Sequence, residues 1–174
     1  LVYVENSGGN QDISILPLLG DRKPRPFLQT PFAETGGSFS PDGHWLAYHS
    51  NESGRNEVYV QPFPAGGQKV QISTDGGIEP RWARNGELFY RSGDNKMMAV
   101  TLATQPGLAV GNRRVLFDSS PYYTGGAPSG MFDVSSDGKR LLMIKESEQA
   151  APATQIGVVL NWFEDLQRRV PAGK

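Results

Sequence analysis

The chain has 174 residues, 37% of them hydrophobic, with 17 basic against 18 acidic side chains and a formal charge of −1. That is apolar material enough for the core of one domain, with no basic excess to hold a phosphate backbone, which argues against nucleic acid as a main partner. Cysteine is absent, so the fold needs no oxidising compartment and fits either side of a membrane, and no apolar run nears the roughly 20 residues of a membrane-crossing helix.

The 21 glycines and 13 prolines punctuate short apolar runs, the pattern of many strands joined by turns. In chain order, strands are expected over 1–4, 12–16 and 26–29. A tight turn follows at Ser40-Pro41-Asp42-Gly43, led in by Phe39, and then strands over 45–50, 57–61 and 70–73. A second turn, Ala83-Arg84-Asn85-Gly86, follows Trp82 and opens strands over 88–92, 97–102 and 114–118. A third, Ser135-Ser136-Asp137-Gly138, follows Val134 and opens strands over 141–145 and 156–160. Asp-Gly and Asn-Gly tolerate the positive φ of short hairpin turns, and Pro41 presets its own φ. The turn glycines Gly43 and Gly86 stand 43 apart, but Gly86 and Gly138 stand 52 apart, so the excess is expected in loops over 103–112 and 119–129.

After 160 the pattern changes. Asn161 can cap a helix, with Glu164 at capping-box spacing, and Phe163, Leu166 and Val170 fall near one helical face. Glu164 and Asp165 in the first turn, with Arg168 and Arg169 in the last, suit the helix dipole. A short C-terminal helix is expected over about 162–170, ended by Pro171 and Gly173.

The strands repeat as units. Leu1-Val2-Tyr3 returns 45 positions later as Leu46-Ala47-Tyr48, Asn6 as Asn51, Gly9 as Gly54, Asp12-Ile13 as Glu57-Val58 and Pro17 as Pro62. Four-stranded antiparallel units of about 40–45 residues are the signature of propeller blades. The fold class is therefore all-β: a β-propeller-type array of four-stranded antiparallel blades over about 1–35, 36–77, 78–120 and 130–161, the first and last incomplete. The chain is expected to be one partial domain, a piece of a longer polypeptide that begins inside a repeat. An open arc forgoes cover for about six side chains at each end, roughly 10 kcal/mol, so closure by missing blades or by another copy of the chain is expected.

The run Phe39-Ser40-Pro41-Asp42-Gly43-His44-Trp45-Leu46-Ala47-Tyr48, with Asn56-Glu57-Val58-Tyr59-Val60 after it, resembles the blade motif of TolB-like propellers. This WD-like repeat occurs in TolB, in the propellers of prolyl-oligopeptidase-type peptidases and beside bacterial serine/threonine kinases. The match departs from the pattern at Asn85, which replaces Asp, and at Ser136, which holds the proline position. The stretches Asn56 to Gly67 and Val158-Val159-Leu160-Asn161-Trp162-Phe163 are similar to the C-terminal end of kinase-associated propellers. For such a kinase the resemblance implies a cytoplasmic kinase domain, one membrane span and an extracytoplasmic, periplasmic propeller. This chain has no Gly-rich ATP loop, His-Arg-Asp or Asp-Phe-Gly, so it cannot itself transfer phosphate.

Candidate chemistry is sparse. Asp42, Asn85 and Asp137 are expected to bond their own turns. His44 and His49, the only histidines, lie on a turn and a strand with no cysteine beside them, and no zinc site is expected. Neither Gly36-Gly37-Ser38 nor Gly126-Ala127-Pro128-Ser129-Gly130 fits a nucleophile elbow. Glu34, Glu52, Glu57 and Glu79 could pair for acid–base work on a sugar, although scattered solvated glutamates are the commoner case. Phe39, Trp45, Tyr48, Tyr59, Trp82, Phe89 and Tyr90 are expected in the inter-blade core. No catalytic residue, cofactor or metal is assigned.

The loops that lead from the last strand of one blade to the first of the next, over 30–37, 74–79 and 119–130, surround the mouth of a propeller's channel. They carry Phe32, Glu34, Asp75, Glu79, Tyr122 and Tyr123, aromatic rings beside carboxylates that could grip a peptide, a sugar or a basic group. Ordinary surface loop is the bland alternative. The expected function is a non-catalytic ligand- or protein-binding module, the sensor or interaction part of a larger bacterial receptor kinase, with an unidentified protein or small-molecule partner. The alternatives are the gating propeller of a prolyl-oligopeptidase-like hydrolase, a small glycan-active propeller enzyme, or a structural piece that closes a ring with its copies.

Overall fold

The computed structural model describes residues 1–64, 67–122 and 132–145, and every regular element among them is a β-strand. Four antiparallel sheets follow one another along the chain. The first holds β1 (Val2–Ser7), β2 (Asn10–Ile15) and β3 (Arg25–Leu28). The second holds β4 (Glu34–Phe39), β5 (Trp45–Ser50), β6 (Glu57–Pro62) and β7 (Val70–Gln71). The third holds β8 (Gly77–Trp82), β9 (Glu87–Ser92), β10 (Lys96–Ala103) and β11 (Ala109–Asp118). Of the fourth, β12 (Phe132–Val134) and β13 (Leu141–Met143) are described. Each sheet is a meander in which strands pair with their chain neighbours, the geometry of successive propeller blades.

Strand periodicity explains why the sheets stack. Side chains alternate between faces, and here both faces are apolar. Leu46, Tyr48 and Tyr59 point from the second sheet towards the first, where they bury Ile13 against Val2, Phe27 and Leu28. Ala47, Val58, Val60 and Ile72 point the other way and meet Leu88, Tyr90, Val100 and Leu102 of the third sheet. The opposite face of that sheet carries Phe89, Met97 and Ala99, which pack on Phe132 and the partly buried Leu141 and Met143. Three separate cores therefore lie in three seams. Of the aromatics expected between blades, Tyr48, Tyr59, Phe89 and Tyr90 are buried, and Phe39, Trp45 and Trp82 are half-buried.

The hairpin turns follow from their residues. Asp42 accepts from its own turn, from Ser40 Oγ at 2.5 Å and the His44 amide at 3.0 Å. Asp137 does the same with Ser135 Oγ at 2.6 Å and the Lys139 amide at 3.0 Å. Gly43 and Gly138 close these turns at φ of 72° and 71°. The middle turn has Ala83 where the others have serine, so its hydroxyl bonds are missing. Its closing hydrogen bond joins Ala83 to Glu87, whereas the others join Ser40 to Trp45 and Ser135 to Arg140. It is one residue shorter.

Two expectations change. The loop expected over 103–112 is half strand, because β10 runs to Ala103 and β11 begins at Ala109 and pairs with the end of β10. Two register shifts, opposite Met97/Met98 and Val100/Leu102 of β10, each take up one extra residue of β11, and Gly111 fits there because a Cβ would stand 3.0 Å from the Thr101 carbonyl. Glu34 and Glu79 belong to strands, not to the loops that precede them. The strand expected over 156–160 and the helix over 162–170 lie outside the described residues.

If the seams carry the stability, Leu88→Ala should cost about 2–5 kcal/mol through the cavity it leaves. Leu142, 75% exposed on the outer face of β13, should change stability by no more than about 0.5 kcal/mol when replaced by alanine. Urea unfolding of the two variants checks this contrast.

Candidate functional site

The first strand of each complete sheet is bulged at the same place. In β4 the register shifts between Thr35 and Ser38, and in β8 between Ile78 and Arg81. The residue two places into each strand takes a left-handed conformation, Gly36 at φ 72° and Glu79 at φ 56°. Glycine is required at the first: a Cβ there would stand 2.8 Å from His49 Nδ1 and 3.3 Å from Pro80 Cδ. At the second a glutamate bears the backbone strain, a cost on the order of 1 kcal/mol.

The bulge in β8 frees backbone donors to cross the seam to the second sheet. The Trp82 amide donates to Ser38 Oγ at 3.1 Å, and the Glu79 amide to His49 Nδ1 at 3.4 Å. Because Nδ1 accepts, the His49 proton sits on Nε2, 2.6 Å from Thr35 Oγ1. Desolvation, with Arg81 as a lesser cause, lowers the His49 pKa from 6.5 to about 4. Glu79 is 6% exposed and lies 3.6 Å from Nε of Arg91, itself 1% exposed.

The loops at this end of the sheets are tied together. Asn51 Oδ1 accepts from the Ala33 amide at 3.0 Å. The Gly77 amide bonds the Asn56 carbonyl at 2.8 Å, and the Gly93 amide bonds that of Gly76 at 3.2 Å. Arg55 donates to the Thr74 carbonyl and to Glu57 Oε1, the latter at 2.7 Å. The carboxylate of Glu57 is buried and also accepts from Ser73 Oγ and, at 3.0 Å, from the Gly76 amide. It is a structural acid that braces the loop, which removes it from any acid–base pair.

The six residues singled out in the sequence divide among the seams. Phe32 is 40% exposed and lines a cleft of about 440 Å³ with Glu52, Tyr59 and Lys69. Glu34 is 1% exposed and accepts from the Thr30 hydroxyl. Burial raises its pKa, a rise the Thr30 hydroxyl opposes and the neighbouring Asp12 and Glu52 reinforce. Asp75 is exposed on the next seam, 3.8 Å from Arg55 Nη2, beside a cleft of about 410 Å³ whose wall includes Arg91 and Asn95. Tyr122 is half-buried at the third seam, edge-on to Phe117 at 6.1 Å, and bridges to Lys145. Tyr123 lies outside the described residues. Phe32 and Asp75 are thus presented to solvent, whereas Glu34 and Glu79 are buried.

Sequence reasoning did not single out Arg55, on the loop before β6, or Arg81 and Arg91, on β8 and β9, because charged residues at such positions read as solvated. A signal was present for His49. It lies two places beyond Ala47 on the same strand face, and that face is buried. Among the described residues, no three His, Cys, Asp or Glu side chains form a metal cluster, and no helix is long and apolar enough to cross a membrane.

The pH dependence of His49 has a definite sign. Its folded pKa lies below the unfolded value, so the unfolded chain takes up the proton first as pH falls. The contribution is complete above about pH 6.5 and is lost towards pH 4, up to about 3 kcal/mol. Glu34, with a raised pKa, acts in the opposite sense. Urea unfolding at pH 7 and pH 5 should show a loss on acidification that shrinks in His49→Gln; an unchanged loss would show that this ring does not carry it.

No protein-family model matches the chain, and no curated protein matches it. Solved structures do. It is similar to a TolB-type protein of Agrobacterium tumefaciens, 18% identical, with a TM-score of 0.55 over 67% of this chain and 44% of that one. It is also similar to TolB of Acinetobacter baumannii, 18% identical, with a TM-score of 0.59 over 86% of this chain and 35% of that one. An oligogalacturonate lyase of Vibrio parahaemolyticus, 16% identical over 81% of this chain and 35% of its own, reaches a TM-score of 0.49, too low to build on. The chain thus spans less than half the length of each of these structures. Its fold is that of a TolB-like β-propeller.

Proposed function

We propose that the chain is a non-catalytic propeller module that binds a protein or small-molecule ligand at the rim formed by its inter-blade loops. The observation that carries this reading is the placement of Phe32 and Asp75 in solvent on loops that are each hydrogen-bonded to the loop beside them, and each beside a cleft. A rigid edge costs little ordering entropy on binding, the condition for useful affinity from a small surface. Phe32, Glu34, Asp75, Glu79, Tyr122 and Tyr123 are the residues assigned to this edge. The blade motif's resemblance to kinase-associated propellers supports a larger parent, a bacterial receptor kinase, with this module as its extracytoplasmic sensor. Missing blades of that parent, or another copy of the chain, would cover the terminal faces.

Two measurements test the reading. The coding sequence flanking this segment should contain an upstream kinase domain and a membrane span; a downstream α/β-hydrolase domain would transfer the module to a peptidase. Thermal shifts with a panel of short basic peptides and oligosaccharides should give at least one hit that Phe32→Ala and Tyr122→Ala together weaken about tenfold or more, as expected for aromatic anchors worth over 1 kcal/mol. Equal shifts in variant and parent would remove these residues from the site.

A further inference from the structure

The first and second sheets solve the same electrostatic problem differently. In the second, the buried Glu57 is met by a cation, Arg55, two residues before it, and by Ser73 and the Gly76 amide. In the first, Asp12 holds the place of Glu57: Asp12 pairs across the ladder with Glu5, as Glu57 pairs with Ser50. The residue two places before Asp12 is Asn10. Its amide reaches the Thr30 carbonyl at 2.8 Å, as Arg55 reaches that of Thr74, but it brings no charge. Where the second seam has Gly77 opening its strand, the first has a second acid, Glu34. The Thr30 hydroxyl turns to Glu34, leaving Asp12 without it.

The result is two acids, 6% and 1% exposed, with Glu5 opposite one of them and no described cation paired with either. Each has an oxygen fully out of water with no donor: Oδ1 of Asp12 and Oε2 of Glu34. A buried carboxylate without a partner costs several kcal/mol, and the usual remedies are a proton or a counter-ion. Charged groups on the packed elements do not supply one, since Glu52 adds a further negative charge and its own partner is Lys69. We propose that the seam between the first and second sheets binds a hard, oxygen-seeking cation of the calcium class, with Asp12 and Glu34 as its anionic ligands. Thr30 Oγ1 and water complete the oxygen set. Two carboxylates make a weak site, with Kd on the order of 10⁻⁴–10⁻³ M, the range of extracellular calcium modules.

The test is thermal unfolding of the chain at pH 7 in EDTA and in about 10 mM CaCl2, with calorimetric titration of the same ion. Calcium should raise Tm by roughly 3–10 °C. Glu34→Gln and Asp12→Asn should lose this response. Asn10→Arg, which installs the second sheet's own arginine, should raise Tm without calcium and abolish the response. Glu57→Gln, outside the site, should keep the calcium increment on a lower baseline. No calcium shift in the parent, or an equal shift in Glu34→Gln and Asn10→Arg, overturns the proposal. So does a Tm that rises on acidification towards pH 5 with no effect of calcium, since the two acids would then share a proton.

Discussion

Everything in this molecule depends on sheets buried on both faces. A strand that alternates Leu46, Ala47 and Tyr48 cannot present a polar face to water, so a second sheet must lie on each side of it. Burying such side chains is worth about 1.5–3 kcal/mol apiece, comparable over one seam with the net stability of a domain. Stacking leaves no free choice of architecture. The polar groups are pushed to the sheet ends, where the loops meet, and that is where the candidate binding edge lies.

The bulges in β4 and β8 serve the same constraint. Two stacked sheets with complete ladders would offer each other only side chains. The bulge in β8 releases the Glu79 and Trp82 amides towards the second sheet, where His49 and Ser38, the latter at the bulge of β4, receive them. The seam between the second and third sheets is thereby held by directional bonds as well as by apolar contact, which fixes the rotation of one blade on the other. His49 is part of the scaffold for this reason, and its low pKa follows from burial in that role.

Much of the fold is legible in the sequence. The Asp-Gly and Asn-Gly turns mark the hairpins, and the strand expected over 45–50 is β5 to the residue. The extent of β11 was hidden, because Gly111 reads as loop until a bulge is known to need it. The site was less legible. Exposed Phe32 and Asp75 could be anticipated from loop position. The burial of Glu34 and Glu79 could not, because strand and loop meet at these residues and a glutamate at such a border reads as solvated. The 45-residue repeat already sets Asn10 against Arg55, but the difference becomes meaningful only once Asp12 and Glu57 are both seen to be buried.

Three disjoint cores in one chain have an energetic corollary. Each sheet feels only its immediate neighbours, so cooperativity is handed along the array instead of being shared by one nucleus. The second and third sheets, each clasped from both sides, should be the last to open, and the first sheet and the described part of the fourth should fray earlier, a gradient of amide protection running outward from β5, β6, β9 and β10. The same locality lets one seam acquire new chemistry, as the first has with its paired acids, without disturbing the packing of the next.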